Sequence, residues 1–428
     1  MRYRTTFRAA VLALGLGLIV AGCKGLLDVE PRSRIPTESL YQPSNAPLLF
    51  AGALGDFECA AGAYDAVSGI IGEELDDATL TADRYPTDQR VLQPSDRRYS
   101  VSDCANLGVY TPLQTARNTL ENLLDALDGW TDADVPQRQT YIATVAAYSG
   151  YTHLLLAEGF CTMALSRLRP DGTREYGGEI QKDSVFAIAI DRFTRAIDMA
   201  EQLGNTDILN MALVGRARAY ADIGRLPEAK ADAARVPADY EHVITADGGS
   251  SRRENRLWSQ NNATSTATSV GILYRTMNDP RVPVEPKLDA NGNIRKNQNN
   301  IELWTQLKFT TADEGIPLAT GDEARLIVIE ANIDAGNFQA ALDTLNVFRA
   351  RGGQAPIATL DPAELKNELI EQRRRELFLE GQHLYDLIRF NIPLVPAPGA
   401  PYPGNGTYGS QLCMPLPDVE RLNNPVLQ

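Results

Sequence analysis

Histidine is scarce in this chain. Three occur in 428 residues, His153, His242 and His383. Neither G-x-S-x-G, H-E-x-x-H nor a phosphate-binding loop is present. The sequence therefore offers no activated nucleophile and no general base in a recognisable setting, and it points to no catalytic residue, cofactor or metal ligand set. His153 lies on an apolar Ala/Leu helix and reads as a satisfied core residue. A surplus of cations is also missing: 41 Lys and Arg face 55 Asp and Glu, a net charge of −14. Nucleic-acid binding needs basic patches that displace counterions, so a nucleic-acid partner is excluded. After the N-terminus there is no apolar run of the ~20 residues that a transmembrane helix takes.

The N-terminus is different. Arg2, Arg4 and Arg8 precede the apolar run Ala9–Ala21, which is too short to span a bilayer and suits the core of a signal peptide. It closes on Val20-Ala21-Gly22-Cys23, the pattern of a bacterial lipobox. Residues 1–22 then form a lipoprotein signal, Cys23 takes a diacylglycerol, and 23–47 is an extended tether. Two or more acyl chains would hold the mature chain on a membrane. Cys59, Cys104, Cys161 and Cys413 remain, at spacings that fit no zinc motif. In an exported chain an even number suggests two disulfides, with three possible connectivities; buried free thiols are the alternative.

The rest, 48–428, reads as one domain, mostly helical. Leu48–Leu75 predicts a helix interrupted at glycine, followed by Glu73, Glu74, Asp76 and Asp77. That acidic run is either a solvated turn or a place of ligand contact, with Asp77 the candidate. Tyr85–Tyr99 reads as a polar loop. Tyr110–Leu127 and Arg138–Leu156 have helical period. Ser184–Leu203 and Asp207–Ile223 form a helix pair turning at Gly204-Asn205, and Glu323–Ala350 a second turning at Gly336-Asn337. Both follow the tetratricopeptide pattern of pairs that must stack to bury their faces. The helix-pair scaffold thus covers 110–236 and 321–390. Between them, 237–320 is rich in Asn, Thr, Ser, Pro and Gly, with Asn261–Ser269 expected as a surface loop. Residues 391–428 form a Pro/Gly segment.

The last helical stretch, Asp361–Phe390, carries an unusual density of charge beside an apolar face. Asp361 suits an N-cap, Pro362 the first helical position, and Glu364 can reach back to the cap. Gly381 kinks the run or splits it in two. The segment RRRELFLEGQHLYDLIRF resembles the C-terminal signature of the RagB/SusD family, surface lipoproteins that bind nutrients for outer-membrane transporters. Arg373, Arg374, Glu376, Leu377, Glu380, Gly381, Asp386, Leu387 and Arg389 match it. Gln372 stands where Glu is usual and His383 where Arg is usual. Asn278-Asp279-Pro280-Arg281 and Met414-Pro415-Leu416-Pro417 resemble further family stretches.

The resemblance implies a SusD-like fold: stacked tetratricopeptide-like helix pairs, little strand, and a large irregular loop-rich half. It implies a non-enzymatic protein, anchored by lipid in the outer membrane and facing the cell exterior. Its partners would be an oligosaccharide ligand and a TonB-dependent outer-membrane transporter. Peptide ligands on the same fold, or a periplasm-facing assembly lipoprotein, are the alternatives. The signature residues are structural in the family. Carbohydrate recognition stacks sugar C–H faces on exposed rings. On that ground Trp258, in an Asn-rich stretch, is a candidate contact, with Tyr85 and Tyr274. Trp130 and Trp304 read as framework.

Overall fold

The computed structural model describes residues 37–263, 266–297 and 299–428. The signal segment, Cys23 and most of the tether lie outside the described residues. Thr37–Leu40 is a single helical turn, and Tyr41–Gln428 form one compact unit.

That unit is built on α1 (Ala46–Ile71), whose second half is buried on every side from Cys59 to Ile71. A helix apolar all round belongs inside a protein. The predicted interruption is absent: Gly52, Gly55, Gly62 and Gly69 sit within one unbroken helix. Each glycine costs roughly 1 kcal/mol against alanine, and burial of the surrounding Phe57, Tyr64, Ile70 and Ile71 outweighs it. Around α1 lie α2 (Tyr110–Gly129) and α3 (Arg138–Gly159), then α4 (Lys182–Leu203), α5 (Thr206–Asp222) and the short α6 (Leu226–Ala233). Gly204, at φ 65°, ends α4, and the Asn205 side chain caps α5 through the Ile208 amide. The Phe193 ring of α4 fills a slot that only glycine leaves open. A Cβ on Gly150 would come within 2.6 Å of it and one on Gly215 within 2.4 Å.

The second group of helices is α7 (Gly321–Asp334), α8 (Phe338–Arg351), α9 (Pro362–Glu376) and α10 (His383–Arg389). Their own smaller core joins Leu326, Ile329, Leu342, Leu345, Phe348, Leu365 and Leu369. Asp361 caps α9, accepting from the Ala363 and Glu364 amides at 2.9 and 3.0 Å. The expected split falls at Gly381, with φ 75°, where a Cβ would also meet Asp65 Oδ1 at 2.3 Å. Among the described residues strands pair only in twos, all antiparallel, as Leu75–Asp77 does with Thr268–Val270. Disulfides join Cys59 to Cys104 and Cys161 to Cys413. The second ties the end of α3 to the C-terminal segment, beside a backbone bond from Cys161 to Met414.

Stretch 237–320 is indeed poor in helix, but its asparagines are not a surface loop's. Asn261 is fully buried; its amide donates to the carbonyls of Thr268 and Trp304 and its oxygen accepts from the Gln306 amide. Asn262 donates to the carbonyls of Gln306 and Phe309. Side-chain amides here replace the ladder that longer strands would supply, so that buried backbone groups are paired.

Candidate functional site

The signature charges are internal. Arg373 Nε donates to Asp386 Oδ2 at 2.7 Å, and Arg389 pairs with Glu330 at 2.9 Å. Lys308 donates to Glu380 at 2.6 Å and to the Phe378 carbonyl. Arg281 joins Asp279 to Glu376 on α9, so the Asp-Pro-Arg stretch and the signature form one network. Deeper, Arg218 meets Glu158 through two bonds of 2.7 and 2.6 Å. Gln372 replaces the usual Glu with an amide that works both ways. Its oxygen accepts from Arg281 at 2.9 Å, and its nitrogen donates to Gln354 and to Glu368 at 2.8 and 2.6 Å. A carboxylate could not donate to Glu368. His383 is buried against Tyr274, and burial holds its imidazole down at about 4, so it is neutral where the family's Arg would be charged.

His153 is buried too, its Nδ1 2.8 Å from the Ser149 carbonyl. Ser149 lies 3.4 Å from the same ring nitrogen and donates to Glu121 at 2.6 Å. This trio resembles a catalytic grouping, but Ser149 is fully buried and no substrate could reach it.

The predicted contact residues scatter. Tyr274 has no exposed surface and stacks on Phe378 at 4.9 Å. Asp77 is buried; its oxygens accept from Thr79, from the Leu80 amide and from Arg84. These two are fastened inside the framework, and the acidic run is no solvated turn: Glu73 and Glu74 are buried as well. Trp258 is half-buried against the core on the turn Arg256–Asn261. The asparagines that seemed to mark it as a binding site are all engaged: Asn255 caps that turn, and Asn261 and Asn262 hold the backbone. Tyr85 is half-buried, 6.1 Å from Tyr402, which lies 5.0 Å from Tyr408. The three rings clamp the early loop to the Pro/Gly segment, with Tyr402 donating to Asp88 at 2.9 Å.

A different place brings binding chemistry together. An open groove of about 450 Å³ runs between the start of α2, the hairpin of Arg167–Leu168 with Arg174–Glu175, and the helix Asp418–Asn423. Its walls carry Tyr110, Arg117, Asn118, Arg174, Tyr176 and Glu420. The Tyr176 side chain stands 40% exposed, the most exposed aromatic among the described residues. Asn118 is fixed by two bonds to Leu168, from the Leu168 amide and to its carbonyl. Glu420 Oε1 accepts from Ser166 and Asn424. Larger hollows of about 530 and 650 Å³ lie around α10. The first is walled mainly by Leu387, Ile392, Leu394 and Leu412. In the second, Lys182 lies over Tyr385 and Arg389 over Phe390, so the rings are already covered. Sequence reasoning missed the groove's residues. The one local signal was the Asp171-Gly172 turn, which predicts a hairpin and so an exposed Tyr176 beside it.

A family model described as the SusD family matches residues 323–413, from α7 through α10 into the Pro/Gly segment. No curated protein matches the chain. Solved structures share the fold at low identity. The surface glycan-binding protein A of Bacteroides uniformis is 14% identical, with a TM-score of 0.69 over 90% of this chain and 98% of its own. A SusD-like carbohydrate-binding protein of Bacteroides vulgatus is 16% identical, with a TM-score of 0.66 over 90% and 97%. A SusD superfamily protein of Bacteroides fragilis is 14% identical, with a TM-score of 0.67 over 90% and 99%. The stretch from α7 through α10 thus matches the SusD family model, and the chain shares its fold with these SusD-like structures along 90% of its length.

Proposed function

We propose that the protein is a lipid-anchored outer-membrane lipoprotein that binds oligosaccharides and passes them to a TonB-dependent transporter, without bond chemistry of its own. The observation that carries the binding step is the groove beside α2. There an uncovered ring, Tyr176, stands among amide, carboxylate and guanidinium groups. Sugars are held by this combination, with C–H faces on the ring and hydroxyls on the polar groups. Two of the solved relatives are named for glycan or carbohydrate binding, which supports the ligand class. No helix among the described residues is long and apolar enough to cross a membrane, and the lipobox at Cys23 supplies the anchor.

The test is binding of the whole chain to glycan and peptide arrays, beside Tyr176→Ala. The expected result is saccharide binding that the substitution weakens at least ~5-fold, since ring stacking carries ~1 kcal/mol or more. Peptide binding with no saccharide binding would overturn the reading. Palmitate labelling that survives Cys23→Ser would remove the anchor from it.

A further inference from the structure

The groove holds more positive charge than it neutralises. Arg167 lies 2.8 Å from Asp125, and Glu175 accepts from Arg169 at 2.7 Å, so those charges cancel locally. Glu121, the acid nearest Arg117 along α2, is taken by Arg192 through bonds of 2.9 and 2.8 Å. Arg117 is left without a carboxylate partner. It is only 3% exposed; its Nε donates to Gln114 and one Nη to the Ser166 carbonyl, while Nη1 makes no hydrogen bond among the described residues. Burial lowers this guanidinium to about 10, and the charges of Glu121 and Glu420 nearby only partly offset it. The exposed Arg174 side chain likewise has no partner among the described residues. The Tyr110 hydroxyl is buried in the groove wall beside Glu420. Against these stands one acid, Glu420, which already accepts two bonds. Burying a cation with no carboxylate bonded to it is costly unless something arrives to meet it.

We infer that this groove selects an acidic saccharide, one whose sugar carries a carboxylate, with Arg117 and Arg174 receiving the carboxylate and Tyr176 the ring face. In a chain of net charge −14, an anionic ligand is repelled in general, so a local positive surplus has to be built. Guanidinium groups fit a planar carboxylate with two parallel bonds. The inference rests on the groove being the saccharide site.

The experiment measures binding of the whole chain to oligogalacturonate, to its methyl ester, to a neutral galacto-oligosaccharide and to a sulfated one, by calorimetry at low and physiological salt. The expected result is at least ~10-fold tighter binding of the free acid than of its ester, weakened by salt. Arg174→Gln, a surface change, should remove most of that difference, and Arg117→Gln the rest. Equal affinity for acid, ester and neutral sugar, still lost in Tyr176→Ala, overturns the acidic preference and leaves the saccharide reading standing. Equal affinity for sulfated and carboxylated sugars overturns the carboxylate assignment. If no saccharide binds at all, the saccharide reading falls, and this inference with it.

Discussion

Two sets of arginines can be compared. Those of the signature and of the central helices each meet an acid inside the protein: Arg373 meets Asp386, Arg389 meets Glu330, and Arg218 meets Glu158. Two in the groove, Arg117 and Arg174, meet none among the described residues. Both sets lie on a similar frame of helices and short hairpins. What separates them is whether the chain supplies the counter-charge itself. Where it does, the charge specifies one packing; where it does not, the charge is left for a ligand. A dense cluster of charge in the sequence therefore does not by itself mark the binding site. Here the densest cluster is the structural one.

The sharpest way to break the comparison is to remove an internal partner. Arg218→Ala leaves Glu158 buried at 1% exposure, with its guanidinium partner gone. The expected loss is ~3–5 kcal/mol of unfolding free energy by urea titration, while the groove variants Arg174→Gln and Tyr176→Ala stay within about 0.5 kcal/mol of the parent. A loss below about 1 kcal/mol for Arg218→Ala would mean that the internal pairs are not what holds the packing. Next in size is Gln372→Glu, which installs the family's usual residue. It removes the bonds to Gln354 and Glu368 and sets a carboxylate against Glu368. The expected cost is ~1–3 kcal/mol. An unchanged or raised stability would show that Arg281 alone governs that position.

Much of the frame was legible in the sequence, because helix pairs declare themselves twice: by apolar period, and by turns such as Gly204-Asn205 whose conformation needs glycine. The split at Gly381 was legible for the same reason. The continuity of α1 was not, since its glycines argue locally against helix and only the packing on both sides overrules them. The binding candidates were the least legible. Trp258 and Asp77 were chosen for their neighbours in sequence, yet Asn261 beside the first, and Asp77 itself, spend their polar groups on the protein's own backbone. The groove draws on the start of α2, on a hairpin after α3 and on the C-terminal helix. Stretches so far apart in the chain share no local pattern that could announce them.

The smallest expected effect concerns acidity, and it sets the interior against the groove. Glu74 and Glu323 are buried, and burial raises them to about 8 and about 7, against Lys308 beside the first and Arg218 beside the second. In the unfolded chain both ionise near 4.3. Between pH 8 and about 5 the folded form thus holds more protons, and stability rises as pH falls through that window. His153 and His383 act oppositely. Burial lowers each to about 4, whereas the unfolded histidines take up protons near 6.5. Their contribution is complete above pH 6.5 and is lost as pH falls towards 4. The two trends together raise stability as pH falls from 8 to about 6, by on the order of 1 kcal/mol per pH unit, and nearly cancel from there to about pH 5. Urea midpoints at pH 8, 6.5 and 5 would trace it. In His383→Gln stability should go on rising as pH falls below 6, and in Tyr176→Ala the whole curve should keep its shape, because the groove contributes no titration of this kind to folding. Midpoints that fall steadily from pH 8 downwards would show that Glu74 and Glu323 are ionised in the folded protein, each with a counter-charge of its own.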